Sequence, residues 1–226
     1  MLFDKEKLEE VLTELKPYEA QLVAVSKTKS AEAIRAVYDT GHKLFGENYV
    51  QELVEKQVLL PKDIQWHFIG HLQTNKVKFI APFISLIQSV DSIKLLTEIN
   101  KQGQKNNRVI DCLLQIYIAA EETKFGLSFE EADEILYSDK LKDLTNICIK
   151  GFMGMATLTD DENQIRKEFT SLKEFFEKVK STCHLSAVDC QLLSMGMTSD
   201  YRIALEEGGN LVRIGSAIFG EREKSF

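Results

Sequence analysis

The chain has 226 residues, 44% of them hydrophobic, enough to bury a large core and well matched to one α/β barrel. A formal net charge of −7 excludes a sequence-independent grip on nucleic acid or anionic lipid, because no basic field is present to release counterions or coat headgroups. A small-molecule ligand is the class that remains, and no apolar run nears the roughly 20 residues needed to cross a bilayer.

Asp4 to Lys16 places Leu8, Val11, Leu12 and Leu15 at helical spacing, and Pro17 stops the pattern, so a leading amphipathic helix is expected. From Leu22 onward an apolar strand, a polar or glycine turn and an amphipathic helix recur without a linker. The strands fall at Leu22 to Ser26, Lys43 to Glu47, Trp66 to Gly70, Leu86 to Val90, Cys112 to Ala119, Ile147 to Gly154, Cys190 to Ser194 and Leu211 to Gly215. Helices lie between them at Ala31 to Asp39, Tyr49 to Leu59, Ile93 to Gln102, Phe129 to Tyr137, Ile165 to Val179 and Tyr201 to Glu206. Runs such as Leu113 to Ile118 are apolar at both parities, the mark of parallel strands covered by helices on both faces. Eight such units predict a single (β/α)8 TIM barrel over residues 1–226. The other candidate, an open doubly wound sheet, lacks its Gly-x-Gly-x-x-Gly after the first strand. Cys112, Cys148, Cys183 and Cys190 have no metal-ligand spacing, and Met1 to Lys7 lacks the apolar core of a secretion signal. Reduced thiols and a cytoplasmic location are therefore expected.

In a barrel the working face lies at the C-terminal ends of the strands. The first strand ends in Ser26-Lys27-Thr28-Lys29, and a lysine there either escapes to solvent along its stem or is held in a cleft as a Schiff-base amine. The segments after strands seven and eight, Ser194 to Thr198 and Gly215 to Ala217, bring hydroxyls and glycines where barrel phosphate sites form. Thr198 or Ser199 is equally placed to cap the helix through Tyr201 to Glu206. Arg213 sits between Val212 and Ile214 in an apolar strand and needs a partner, either a carboxylate on a neighbouring strand or a ligand.

The strings Ala24 to Lys29, Phe45 to Glu52, Trp66 to Lys76, Leu193 to Met197 and Val212 to Gly220 resemble the pyridoxal phosphate homeostasis proteins, in order and over nearly the whole chain. The resemblance implies a barrel related to the N-terminal domain of alanine racemases, with pyridoxal 5'-phosphate (PLP) held as a Schiff base on Lys27. Asn48 is implied beside the cofactor, Ser194, Gly215 and Ser216 at its phosphate, and Arg213 facing the pyridine nitrogen. Lys29 and Lys124 match further lysines of the pocket or its rim. Thr198 stands where many members carry serine, which keeps a hydroxyl.

An arginine at the ring nitrogen cannot accept a proton from it, so the ring is left a weak electron sink and broad carbanion chemistry is disfavoured. The expected function is a reversible PLP carrier and buffer in vitamin B6 homeostasis, a monomer that contacts PLP-dependent apoenzymes transiently. The competing enzyme reading is a small amino-acid racemase with Lys27 as one base and Tyr49, His67 or His71 as the second. An interaction module with an empty barrel is the third reading, and it leaves the lysine, the arginine and the phosphate loops unexplained.

Overall fold

The computed structural model describes residues 2–120 and 125–220. Eight parallel strands close in chain order: β1 (Gln21–Val25), β2 (Leu44–Glu47), β3 (Gln65–Phe68), β4 (Leu86–Val90), β5 (Ile110–Ile116), β6 (Ile147–Gly154), β7 (Val188–Ser194) and β8 (Leu211–Ile214). Closure is made by β8 on β1, with Leu22 opposite Val212 and Ala24 opposite Ile214.

The covering helices are α1 (Lys5–Leu15), α2 (Ala31–Tyr38), α3 (Val50–Leu59), α4 (Val77–Ile80), α5 (Ile93–Lys105), α6 (Phe129–Leu136), α7 (Asp139–Lys142), α8 (Glu162–Thr182), α9 (Tyr201–Glu206) and α10 (Ser216–Phe219). Local chemistry starts several of them. Asp4, Ser30, Ser92 and Ser128 each accept a backbone N–H of the first turn, and Ser128 with Glu131 completes a reciprocal capping box. Pro17 does not end the leading helix outright; it sits in a single 3₁₀ turn, Lys16–Tyr18, where its missing N–H is no loss.

Strand parity decides what faces the interior. Leu22, Ala24, Phe45, Trp66, Phe68, Val212 and Ile214 point outward into one large apolar cluster shared with the helices. Val23, Leu44, Leu86, Leu113, Met153 and Leu211 form a second, smaller cluster that plugs the barrel. On β1 the inward series is Val23, Val25 and then Lys27; on β8 it is Leu211, Arg213 and then Gly215. Thus a two-residue period carries each strand from apolar plug to polar mouth.

Candidate functional site

At the C-terminal mouth lies a cavity of about 470 Å³, within the roughly 300–1,000 Å³ usual for small-ligand sites. Lys27, Lys29, Asn48, Arg213, Gly215 and Ser216 line it, together with Thr198, Ser199 and an apolar wall of Val25, Ile69, Met155 and Met197. The structure therefore brings five of the six predicted site residues around one space. The sixth, Ser194, is fully buried and lies behind Arg213. Lys124 lies outside the described residues.

Arg213 is 4% exposed. Its Nη1 donates to Ser194 Oγ at 2.5 Å and its Nη2 to the Gly154 carbonyl at 2.9 Å. The carboxylate partner weighed for it is not found: among the described residues no acid forms an ion pair with it, although Asp200 supports its charge from farther away. Burial pulls its pKa down to about 10, so it remains a cation at neutral pH. A buried cation whose hydrogen bonds among the described residues go to two neutral acceptors has donor capacity to spare for a ligand.

A polar chain runs from Arg213 through the barrel. A guanidinium only donates, so Ser194 Oγ accepts from it and donates its own O–H to Gln88 Oε1 at 2.6 Å. The Gln88 amide nitrogen then meets His67 Nδ1 at 2.8 Å, which must accept and carry its hydrogen on Nε2. Burial drives the His67 pKa to about 3, so the ring is neutral across the physiological range.

The hydroxyl loops differ in one respect from the sequence expectation. Neither Thr198 nor Ser199 caps α9. Asp200 occupies the cap position, and its carboxylate turns back to accept the Met197 N–H at 2.6 Å. Thr198 and Ser199 are thereby left at the cavity, where Ser216 Oγ reaches Thr198 Oγ1 at 3.2 Å. Lys29 is a latch on the rim, its Nζ donating to the Phe219 carbonyl at 2.9 Å and to that of Gly220 at 3.1 Å.

Asn48 is held in place by the close approach of Gly70, where any Cβ would fall 2.3 Å from the Asn48 carbonyl oxygen. Its Oδ1 is buried and has no hydrogen-bond partner among the described residues. The second-base candidates do not line the cavity. Tyr49 is 53% exposed, His67 ends the polar chain, and His71 pairs with Asp91 at 3.2 Å and stacks on Phe125.

Sequence reasoning missed a buried network outside the barrel wall. Glu47 Oε1 accepts from Ser26 Oγ at 2.6 Å and from Lys56 Nζ at 2.8 Å. Lys56 also donates to the Ser26 carbonyl and to Glu52. Glu52 and Lys56 stand four apart on α3 and read as an ordinary solvent-facing pair; the available signal was Glu47, an acid ending a short strand that is buried throughout. Burial pushes the Glu47 carboxyl above the usual carboxylate range in spite of Lys56 and Ser26. Burial also pushes on Glu52, but Lys56 and the Thr28 N–H outweigh it and hold that carboxyl below the usual range.

Together, fold and site define a (β/α)8 barrel with an amine, a buried guanidinium and a hydroxyl-lined loop pair converging at its mouth. The family model of the alanine racemase N-terminal domain matches residues 5–223. A pyridoxal phosphate homeostasis protein of Aquifex aeolicus is 38% identical over 205 residues, covering 90% of this chain and 88% of the relative. The human protein of that name is 37% identical over 222 residues, covering 94% of this chain and 80% of its own. PipY of Synechococcus elongatus, solved with PLP bound, superposes with a TM-score of 0.85 at 32% identity, over 95% of this chain and 99% of that one. The chain belongs to the pyridoxal phosphate homeostasis protein family, built on the alanine racemase N-terminal domain.

Proposed function

We propose that one barrel domain, a cytoplasmic monomer, holds PLP reversibly on Lys27 and acts in vitamin B6 homeostasis as a carrier and buffer without substantial catalysis of its own. When bound, the cofactor offers an aldehyde carbon to which a primary amine adds with loss of water. Lys27 Nζ supplies that amine. Thr198, Ser199 and Ser216 supply hydroxyl donors for the phosphate beside the Gly215 backbone. Asn48 Oδ1 offers a buried acceptor in need of a donor. Arg213 presents its guanidinium to the ring nitrogen and cannot take a proton from it. Ser194, expected at the phosphate, acts through Arg213 by fixing that guanidinium.

The observation that carries the reading is a buried arginine held by neutral acceptors, facing the same cavity as a strand-end lysine and three hydroxyls. The solved complex of PipY with PLP supports it. The racemase alternative is disfavoured because Tyr49, His67 and His71 lie away from the cavity lining. Transient contact with apoenzymes then completes the carrier's task.

The test is spectroscopic. Protein mixed with PLP is expected to gain a visible absorption band that borohydride abolishes, with the reduced adduct on the peptide containing Lys27. A label on another lysine, or none, overturns the reading. Sustained deuterium exchange at Cα of amino acids, abolished by Lys27→Ala, would replace the carrier with the enzyme.

A further inference from the structure

Lys27 is one of the two central residues of a tight turn in which the Lys29 N–H bonds to the Ser26 carbonyl at 3.1 Å. The other, Thr28, has φ of +64°, a left-handed conformation that a β-branched side chain adopts only under constraint. Such turns ordinarily carry glycine or asparagine there. What imposes the conformation is visible on both sides of the lysine. Ahead of it, the Ser26 carbonyl takes a second hydrogen bond from Lys56 Nζ at 2.9 Å, while the Ser26 hydroxyl is bound to Glu47. Behind it, the Thr28 N–H donates to Glu52 Oε2 at 2.8 Å, and that same oxygen takes the Lys56 ammonium at 2.9 Å.

We propose that Glu52, itself fixed by Lys56, is a positioning residue that clamps the Thr28 amide and so sets the direction in which Lys27 enters the cavity. The proposal rests on the reading of Lys27 as the PLP-linked amine. A charge-assisted bond of this length is among the stronger single contacts in a fold, and it acts one peptide from the reacting residue. The clamp's three charged members lie in β2 and α3 and do not line the cavity, so they reach Lys27 through the turn and not by touching the ligand.

The experiment measures the dissociation constant of PLP and the borohydride-fixed fraction on Lys27 in Glu52→Ala and Glu52→Gln. The side chain of Glu52 is 30% exposed, so its truncation leaves no closed cavity. Glu52→Ala is expected to raise the dissociation constant about tenfold, the scale of one lost charged hydrogen bond. Glu52→Gln keeps an acceptor for the Thr28 N–H and is expected to recover most of that loss. Unchanged affinity in Glu52→Ala, or equal loss in both variants, overturns the clamp. If the unaltered protein forms no adduct on Lys27, the functional reading itself fails, which is a different outcome. Should Glu52→Ala not fold, amide exchange in the unaltered protein decides. Thr28 is an exposed residue, and its N–H is expected to be strongly protected; exchange at the open-chain rate overturns the clamp.

Discussion

Arg213 imposes a direction on every hydrogen bond behind it. Because it only donates, Ser194 and Gln88 must each donate onward in one direction, and His67 Nδ1 ends the line as an acceptor. That requirement gives an acid sensitivity with a definite sign. The His67 pKa is lowered from the ordinary 6.5 to about 3 in the fold, so below pH 6.5 the unfolded chain binds a proton that the folded chain refuses. Stability from this group is full above pH 6.5 and is lost as pH falls toward 3, reaching about 2 kcal/mol by pH 5. His67→Asn keeps an acceptor where Nδ1 stands and removes the titration, so urea melts at pH 7 and pH 5 are expected to differ by about 2 kcal/mol less in the variant. Equal pH dependence in both proteins would show that His67 is protonated in the fold. At this scale the sequence was legible where parity alone decides: Lys27 and Arg213 continue inward series that begin with Val23 and Leu211. It was not legible for Ser194, whose parity is correct but whose depth depends on how far along the strand the mouth opens.

Among the elements, β6 shows why side-chain direction cannot be read from a strand sequence alone. Ile147 and Ile149 face outward, and an unbroken two-residue period would send Met153 and Met155 outward as well. They face the interior instead, Met153 in the barrel plug and Met155 packed against it and lining the cavity. Against β5 the register shifts between Ile149 and Gly151, where β6 advances two residues to one on β5, and this one-residue insertion reverses the parity; the pairing with β7 also breaks there, with two extra residues on β7. Gly151 permits this with φ of +138°, and a Cβ there would lie 1.9 Å from the Leu192 carbonyl oxygen. Gly151→Ala is therefore expected to cost about 2–4 kcal/mol in urea unfolding. Gly41→Ala also has positive φ but has nothing within 4 Å of the new carbon, and is expected to cost about 1 kcal/mol. Equal midpoints for the two would remove the bulge's dependence on glycine. The strands were legible from their apolar runs, several of them, such as Leu113 and Leu114 in β5 and Leu211 and Val212 in β8, apolar at both parities as in parallel strands buried on both faces, and from the regular recurrence of strand, turn and helix. The crossover between β3 and β4 was not, since a 3₁₀ turn at Thr74–Lys76 and the four-residue α4 are too short to show helical periodicity.

For the molecule as a whole, the cavity is the place where the first and last turns of the barrel meet. Lys27 follows β1, Gly215 and Ser216 follow β8, and those two strands close the sheet on each other. A ligand bridging them joins the two ends of the chain's own closure, and the unfolded chain offers no equivalent site. Binding to the native state alone stabilises it by RT ln(1 + [L]/Kd), about 2.7 kcal/mol at a hundredfold excess over Kd. In a chain of 226 residues each kcal/mol moves Tm by roughly 2–4 °C, so saturating PLP is expected to raise Tm by about 5–11 °C, increasing with the logarithm of its concentration. Pyridoxal, which lacks the phosphate, and inorganic phosphate, which lacks the aldehyde, each engage only one end of this bridge and are expected to give smaller shifts at the same concentration. Lys27→Ala is expected to keep the small phosphate shift and to lose most of the PLP shift. A Tm indifferent to PLP concentration in the unaltered protein would show that the ligand does not couple β1 to β8, and equal shifts for PLP and pyridoxal would remove the hydroxyl loops from the site.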